Sequence, residues 1–193
     1  MIREIVHYDA PVLRAKGRPV GAITPEIKAL VEDLLDTMRN ARGVGLAAQQ
    51  IGEAIQVAVV DVTGIKERPS KMWIAGEPVD PEIYMPLVLI NPALKPTKTK
   101  IISHEGCLSF PGLTLDIARA QRVSVTTGTL DGGLFEFDAG GLLGRAVLHE
   151  VDHLHGKLFI DHLDAEERRA IREDLEYIRR GEPIPERSGK NDS

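Results

Sequence analysis

The sequence predicts an α+β domain in which antiparallel or mixed strands pack around a central helix, with a further helix near the C-terminus. Short runs rich in apolar and β-branched residues are typical of strands, and they occur at residues 56–62, 87–91, 122–129 and 134–137. Longer segments with apolar residues at helical spacing predict helices, and they occur at residues 25–40, 141–155 and 165–180. Both kinds of element are mixed along the chain, so neither an all-α nor an all-β fold is expected.

The first predicted helix has a clear beginning. Thr24 is a suitable N-cap, and Pro25 is a favourable first helical residue. Apolar residues then recur at helical spacing as far as Asn40, at Ile27, Leu30, Val31, Leu34, Leu35 and Met38. We therefore expect a helix over residues 25–40.

The last strands and the last helix also carry boundary signals. Asp131-Gly132-Gly133 predicts a hairpin turn between the strands at 122–129 and 134–137. Asp164 and Glu167 form a capping box for the helix that follows, and Gly181 ends it. Most residues of this helix are charged, which indicates a solvated surface.

Chain length and composition indicate one domain. At 193 residues, with 42% hydrophobic and 27% charged residues, the chain is an ordinary globular sequence that can bury a core. We expect a single domain over residues 1–181 and a polar, disordered tail over residues 182–193. Residues 65–86 are rich in proline and read as an extended surface loop that holds Trp73.

Charge and cysteine content narrow the classes of function. A net charge of -5 argues against a general nucleic-acid binder, and a single cysteine excludes an internal disulfide and suits a reducing cytosol. The first residues do not resemble a signal peptide, and no apolar run approaches the roughly 20 residues that span a bilayer. We therefore expect a cytoplasmic protein that does not enter a membrane.

The most informative segment is L-H-E-V-D-H-L-H-G at residues 148–156. His149 and His153 are four residues apart and lie on one face of a helix, so both imidazoles could bind one metal ion. Glu150 would then lie beside the open position of the metal, where it could move a proton. The H-E-x-x-H pattern alone is loose, but a buried His pair without a ligand would be costly. We expect Asp152 to orient one imidazole.

A catalytic site of this kind needs a third protein ligand. Phe159 stands where a metzincin would have its third histidine, and this excludes that scheme. Glu173 lies at about the distance that a thermolysin-like site would use. Cys107, in the segment E-G-C-L-S, is the other candidate, because a thiolate is a strong ligand for soft divalent metals.

A third segment, G-V-G-L-A-A-Q-Q at residues 43–50, contains the pattern G-x-G-x-x-A. A dinucleotide-binding fingerprint would have to follow a strand and open a helix. Here the segment follows a predicted helix, so that interpretation fails. Gly43 and Gly45 instead favour a close approach of the backbone to another group.

These three segments, in this order, resemble the signature of the peptide deformylases, and the resemblance extends from about Ile5 to the helix after Asp161. It implies a catalytic domain that binds one divalent metal ion through Cys107, His149 and His153. The native ion of the family is usually Fe(II), with Zn, Ni or Co substituting. The ligand types alone would have favoured zinc.

The resemblance also implies a reaction, the removal of the N-formyl group from formylmethionine at the start of a nascent peptide. Glu150 would be the general acid–base. The side-chain amide of Gln50 and the backbone N–H of Leu108 would stabilise the oxyanion. Without the resemblance, Gln50 would be interpreted as a solvent-facing loop residue.

Substrate contacts and partners are also carried over from the resemblance. Val44, Gly45 and Gly106 match positions that hold the peptide backbone, and Leu142 with Val44 is expected to line the methionine pocket. Glu105 and Arg119 are expected to form a partly buried ion pair. The charged C-terminal helix allows docking to the ribosome, and no sequence-specific nucleic-acid binding is expected. A metallopeptidase that uses Glu173 and a non-catalytic relative of the family remain alternatives.

Overall fold

The computed structural model describes residues 1–185, and its helices lie close to the predicted positions. The helices of the described chain are α1 Pro25–Asn40, α2 Gly141–Leu154, α3 Ala165–Ala170 and α4 Arg172–Arg179. Helix α1 has the predicted boundaries. Its buried positions Ile27, Val31, Leu34 and Met38 follow the helical period that predicted it.

The strands are more numerous than the sequence predicts. They are β1 Gly45–Ala47, β2 Val57–Val60, β3 Ser70–Ile74, β4 Glu77–Val79, β5 Leu87–Pro96, β6 Lys100–Gly106, β7 Thr114–Ala120, β8 Arg122–Gly128 and β9 Leu134–Gly140. The four predicted strands correspond to β2, β5, β8 and β9. The described strands form a seven-stranded sheet in the order β1-β2-β5-β8-β9-β3-β4 and a separate β6–β7 hairpin.

All strand pairs of these two sheets are antiparallel, which confirms the predicted α+β class. Strand β2 shows how the sheet is covered. Ala58 and Val60 belong to the apolar cluster that includes α2, whereas Val57 and Val59 belong to the cluster that includes α1. Because neighbouring side chains of a strand point to opposite faces, α1 and α2 cover opposite faces of this part of the sheet.

The prediction of an extended loop over residues 65–86 was wrong. This stretch contains β3 and β4, and β3 pairs with β9 within the main sheet. Trp73 lies in β3, where the guanidinium of Arg122 stacks over its ring at 3.9 Å from the centroid. A proline is tolerated at Pro78 because β4 is an edge strand and pairs with a neighbour on one side only.

The C-terminal helix is interrupted, contrary to the prediction of one helix over residues 165–180. Ile171 has φ -96° and ψ 4° and separates α3 from α4. Its side chain is buried with Leu175 and Ile178 in a third apolar cluster. Neither proline nor glycine marks the break, so we attribute it to the packing of Ile171. Asp164 caps α3 as predicted, accepting hydrogen bonds from the N–H groups of Glu166 and Glu167.

The end of the described chain folds back onto the domain. Ile184 packs against the third apolar cluster, which also contains Phe110 and Leu113. Residues 186–193, which make up most of the predicted polar tail, lie outside the described residues. Within residues 1–185, no helix combines the length and the apolar character needed to cross a bilayer.

Candidate metal centre

Helix α2 presents His149 and His153 on one buried face. They are 7% and 1% exposed, and their Nε2 atoms are 3.2 Å apart. The helix can lie this deep because its other residues are mostly apolar and pack against the sheet. The i, i+4 spacing thus produces the pair of imidazoles that the sequence predicts.

Cys107 completes a cluster of three ligand atoms. It follows the end of β6 in a turn in which the N–H of Phe110 donates to the Cys107 carbonyl at 2.9 Å. The Cys107 Sγ lies 3.3 Å from the Nε2 of His153. One ligand atom from each of Cys107, His149 and His153 lies within 4.8 Å of the other two. Among the described residues, this is the group of His, Cys, Asp or Glu side chains that could hold a metal ion.

The spacing of these atoms fits a tetrahedral metal. With bonds of about 2.0–2.1 Å to nitrogen and about 2.3 Å to sulfur, neighbouring ligand atoms lie roughly 3.3–3.6 Å apart. The observed separations of 3.2 and 3.3 Å are close to these values. Glu173, the alternative third ligand, is exposed on α4 and does not belong to the cluster.

Glu105, and not Asp152, orients a histidine of this cluster. The Glu105 carboxylate lies 2.6 Å from the Nδ1 of His149, which leaves the Nε2 of His149 for the cluster. Asp152 instead accepts from Arg119 and contacts His162, so its predicted role was wrong. The buried Nδ1 of His153 has no hydrogen-bond partner in the described chain.

Two buried arginines hold Glu105 in place. Arg119 donates two hydrogen bonds to it, at 2.6 and 3.1 Å, as the expected ion pair. Arg145 donates to the Glu105 Oε2 at 2.9 Å and to the carbonyls of Ile101 and Ile117. Burial alone would raise the pKa of Glu105, but the hydrogen bonds from His149 and Arg119 outweigh it and hold the pKa well below its usual range.

Arg145 was not identified from the sequence. A signal for it exists, since Arg145, His149 and His153 follow one another at intervals of four along α2 and therefore share a face. What the sequence does not show is that the β6–β7 hairpin docks on this face and supplies Glu105 and two carbonyl oxygens.

Negative groups favour a positive charge at the cluster. Burial alone lowers the pKa of His149, but Cys107, Glu105 and Glu150 together raise it well above the usual value. A metal cation at this point would be favoured by the same groups. Burial, together with the charge of His149, lowers the pKa of His153 well below its usual value, and a neutral imidazole is the form that binds metal.

Glu150 lies beside the cluster, and one of its carboxylate oxygens makes no hydrogen bond within the described chain. The residue is 4% exposed, and its Oε2 has no hydrogen-bond partner among the described residues. Burial raises the pKa of Glu150 to about 7, and the negative charge of Glu105 adds to this against the opposing charges of His149 and Arg119. Gly45 allows this position, because a Cβ at Gly45 would come within 2.3 Å of the Glu150 Oε1.

Gln50 and Leu108 lie close to Cys107. Gln50 is 1% exposed, so it is not the solvent-facing residue that the sequence alone suggests. Its Oε1 accepts from the N–H of Ala47 at 2.9 Å, and its Nε2 donates to the Ser109 Oγ at 3.2 Å and lies 3.5 Å from the Cys107 Sγ. The N–H of Leu108 has no hydrogen-bond acceptor within residues 1–185.

A cavity of about 450 Å³ opens beside the cluster. All four residues predicted to contact substrate line it, namely Val44, Gly45, Gly106 and Leu142. The same cavity is lined by Cys107, His149, Glu150, Gln50 and Leu108, but His153 is not among its lining residues. Two of the three candidate metal ligands, the acid–base candidate and the expected substrate contacts thus line one cleft.

The chain is similar to known proteins over most of its length. Residues 2–169 match the polypeptide deformylase family. A peptide deformylase of Methylacidiphilum infernorum is 53% identical over 184 residues, which cover 95% of this chain and 96% of that protein. One of Opitutus terrae is 37% identical over 181 residues, with 92% and 93% covered. The crystal structure of a peptide deformylase from Legionella pneumophila matches with a TM-score of 0.78 and 34% identity, and covers 93% of this chain and 96% of that chain. The chain therefore belongs to the polypeptide deformylase family.

Proposed function

We propose that Cys107, His149 and His153 hold one divalent metal ion, and that Glu150, Gln50 and Leu108 act on an N-formyl group beside it. Family membership carries the overall reaction. The chain is a hydrolase that removes the N-formyl group from the N-terminal formylmethionine of newly synthesised proteins and releases formate. The observation that supports the residue assignment is the convergence of three ligand atoms within 4.8 Å next to a buried, partly unused carboxylate.

We propose Fe(II) as the physiological ion, with Zn, Ni or Co able to replace it. A thiolate and two neutral imidazoles are suitable ligands for any of these ions. When bound, the ion would supply Lewis acidity, which lowers the pKa of water and polarises a carbonyl oxygen. Because only three protein residues would hold the ion, it could also bind water or substrate, as in other catalytic sites.

Glu150 is the proposed general acid–base. It accepts a proton from the water that attacks the formyl carbon and delivers a proton to the departing amine as the C–N bond breaks. The products are formate and a peptide with a free amino terminus, so the proton count balances. A pKa near 7, which burial produces, suits a group that must both accept and release a proton near neutral pH.

Gln50 and Leu108 are the proposed oxyanion donors. The Gln50 carboxamide is fixed by the bond from the Ala47 N–H to its Oε1, which directs Nε2 towards Cys107 and Ser109. The Leu108 N–H is free to donate to a ligand, since no acceptor within the described chain uses it. Donors held in this way before the reaction stabilise the negative charge that develops on the formyl oxygen.

The peptide is proposed to bind in an extended form along strand β1. This strand is at the edge of the sheet and pairs only with β2 among the described strands. An unpaired strand edge can accept an extended peptide through backbone hydrogen bonds. Val44 and Gly45 lie at the start of this edge, and Gly106 ends β6 across the cleft. Leu142, 6% exposed, and Val44 would contact the methionine side chain.

We further propose that residues 1–181 act as a single catalytic domain in the cytoplasm, without sequence-specific recognition of nucleic acid. The described surface of α3 and α4 carries many exposed charges, including Arg169, Arg172 and Glu173. Such a surface is suited to docking on the ribosome, where the nascent substrate emerges. Binding of the purified protein to ribosomes, measured with and without charge reversal on these helices, would test this role.

The decisive experiment measures formate release from a formyl-methionyl peptide by protein that is purified and assayed without oxygen, loaded in parallel with Fe(II) or Zn(II). We expect formate without cleavage of any peptide bond, and faster turnover with Fe(II). Glu150→Ala should keep its metal and lose turnover, whereas Cys107→Ser should lose metal. Glu173→Ala, which changes an exposed carboxylate on α4, is the matched control and should alter neither property.

An unformylated peptide of the same sequence should give no product in this assay. If folded and metal-loaded protein releases no formate with either ion, the proposed function is wrong. Retention of full metal content by Cys107→Ser, or of full turnover by Glu150→Ala, would contradict the residue assignment while leaving the reaction intact.

A further inference from the structure

Two arginine side chains at the mouth of the cleft lack acidic partners. Arg42 and Arg68 are both exposed, and both line the cavity next to the metal cluster. Within residues 1–185, the guanidinium of Arg42 makes no hydrogen bond or ion pair. Arg68 donates only to uncharged oxygens, the His104 carbonyl at 2.9 Å and the Ser103 Oγ at 3.4 Å. Both positive charges are therefore free to attract an anion.

The two carboxylates that line the cavity do not pair with Arg42 or Arg68. Glu105 is held by Arg145 and Arg119, and Glu150 is buried beside the metal cluster, away from the exposed mouth. Near the mouth, the N–H of Asp61 donates to the carbonyl of Val44, but the Asp61 carboxylate faces Arg39 at 3.6 Å and does not line the cavity. The mouth thus has an excess of positive charge, although the chain as a whole has a net charge of -5.

The positions of the two arginines indicate which substrate residues they can reach. Gly45 lies against Glu150, and Arg42 precedes it by three residues. Arg68 binds the carbonyl of His104, two residues before Gly106 on the other side of the cleft. An extended chain covers about 3.3 Å per residue, so three residues span about 10 Å. The guanidinium groups can therefore reach substrate side chains about two or three residues beyond the formylmethionine.

We propose that Arg42 and Arg68 make this enzyme prefer nascent chains with an acidic side chain at the third or fourth residue. The inference rests on the proposed function, because it assumes that the bound peptide runs out of the cleft between β1 and β6. Exposed charge pairs of this kind change an equilibrium about two- to fivefold each. Because the two factors multiply, both pairs together should raise kcat/KM for an acidic peptide about four- to 25-fold. The gain should appear mainly in KM, because the charges are remote from the reacting carbon.

The test compares three formyl-methionyl tetrapeptide amides that differ only at residues three and four, which are Asp-Asp, Ala-Ala or Lys-Lys. The amide removes the terminal carboxylate, so the side chains alone carry the charge. Metal-loaded wild-type protein is compared with Arg42→Ala/Arg68→Ala and with Arg169→Ala/Arg172→Ala. The second pair removes the same charge from exposed positions on α3 and α4, outside the cleft.

We expect the wild type to rank the peptides Asp-Asp, Ala-Ala, Lys-Lys in decreasing kcat/KM, and the preference to fall as salt is raised from about 0.02 to 0.5 M. The cleft variant should lose the ranking while keeping its rate on Ala-Ala, and the control variant should keep the ranking. Equal rates on the three peptides, or a ranking that survives in the cleft variant, would overturn this inference and leave the proposed function standing. Failure of all three peptides to release formate would overturn both.

Discussion

The carboxylate of Glu105 lies 2.6 Å from the Nδ1 of His149, so that a residue of the β6–β7 hairpin fixes the orientation of an imidazole on helix α2. Because one ring nitrogen is occupied, the other is left to face the cluster. Glu105 precedes Cys107 by two residues. One short segment therefore supplies one proposed metal ligand and orients another, so the geometry of the site depends on how the hairpin docks on the helix.

Replacement of this carboxylate should weaken metal binding. In Glu105→Gln, the His149 ring loses a charged acceptor, and the buried Arg145 loses its carboxylate partner, whereas Arg119 keeps Asp152. Loss of such a partner to a metal-binding histidine lowers affinity about 10- to 100-fold, and an unpaired buried charge costs about 3–5 kcal/mol of stability. Competition with a chelator and urea unfolding would measure the two effects.

Asp116→Asn is the matched control for this substitution. Asp116 is on the same hairpin, but its side chain is 60% exposed and pairs with His104 at the surface. It should change metal affinity less than twofold. If Glu105→Gln binds metal as tightly as this control, the orienting role of Glu105 is wrong.

The sequence predicted best what is encoded locally. Helix α1 has its predicted boundaries because Pro25 and the apolar repeat lie within the segment itself; Thr24 is at the N-cap position as predicted, but its side chain makes no capping hydrogen bond. The histidines of α2 meet because of their spacing alone. Strand β6 was missed because only one of its seven residues is buried, so it lacks the alternating pattern of a half-buried strand. It is a strand because all seven residues pair with β7.

The error concerning Asp152 has the same origin. Asp152 is near both histidines in sequence, and this made it the obvious candidate to orient one of them. The actual partner of His149 is 44 residues away in the chain. Such a contact depends on how the hairpin docks, and no local pattern predicts that. The ligand identity of Cys107 likewise came from resemblance to a family and not from spacing.

Gly45→Ala should disable the reaction without releasing the metal. A Cβ at this position would lie 2.3 Å from the Oε1 and 2.8 Å from the Cδ of Glu150, so the carboxylate would have to move. A displacement of about 1 Å at a catalytic group can cost about 100-fold in rate. We expect a loss of this order in kcat, with unchanged metal content, measured by formate release and elemental analysis.

Gly21→Ala provides the comparison for that experiment, since nothing lies within 4 Å of the position its Cβ would take. It should keep wild-type turnover. Wild-type kcat in Gly45→Ala would show that Glu150 can shift freely, and this would contradict its role as a positioned base.

Gly156→Ala should destabilise the domain through a backbone clash at the end of α2. Gly156 has φ +70°, and a Cβ there would lie 2.4 Å from the Arg14 carbonyl oxygen. Gly181 has a similar φ of +69° but open space around it. Both substitutions place an alanine in the left-handed conformation, which lowers the free energy of unfolding by about 1–2 kcal/mol. Only Gly156→Ala also overpacks its surroundings, which lowers it by a further amount of about 1–3 kcal/mol. Urea unfolding at equal metal saturation should separate them, and equal losses would show that the Arg14 segment yields to the extra carbon.

The ion pair of Arg14 with Asp161 should make stability depend on pH. Arg14 donates to both carboxylate oxygens, at 2.5 and 3.1 Å, and joins the N-terminal segment to the turn before α3. Burial alone would raise the pKa of Asp161, but the hydrogen bonds from Arg14 and from the Leu158 N–H outweigh it and lower the pKa. A carboxylate with a lowered folded-state pKa stabilises the protein above its unfolded pKa of about 3.9, and this contribution is lost as the pH falls through the lower folded value.

We therefore expect Asp161→Asn to reduce the free energy of unfolding by about 1 kcal/mol at pH 7 and by progressively less as the pH falls below 4. A double-mutant cycle with Arg14→Gln, measured by thermal unfolding at pH 7 and pH 3, isolates the pair. A coupling energy that is the same at both pH values would show that the charge on Asp161 does not stabilise this junction.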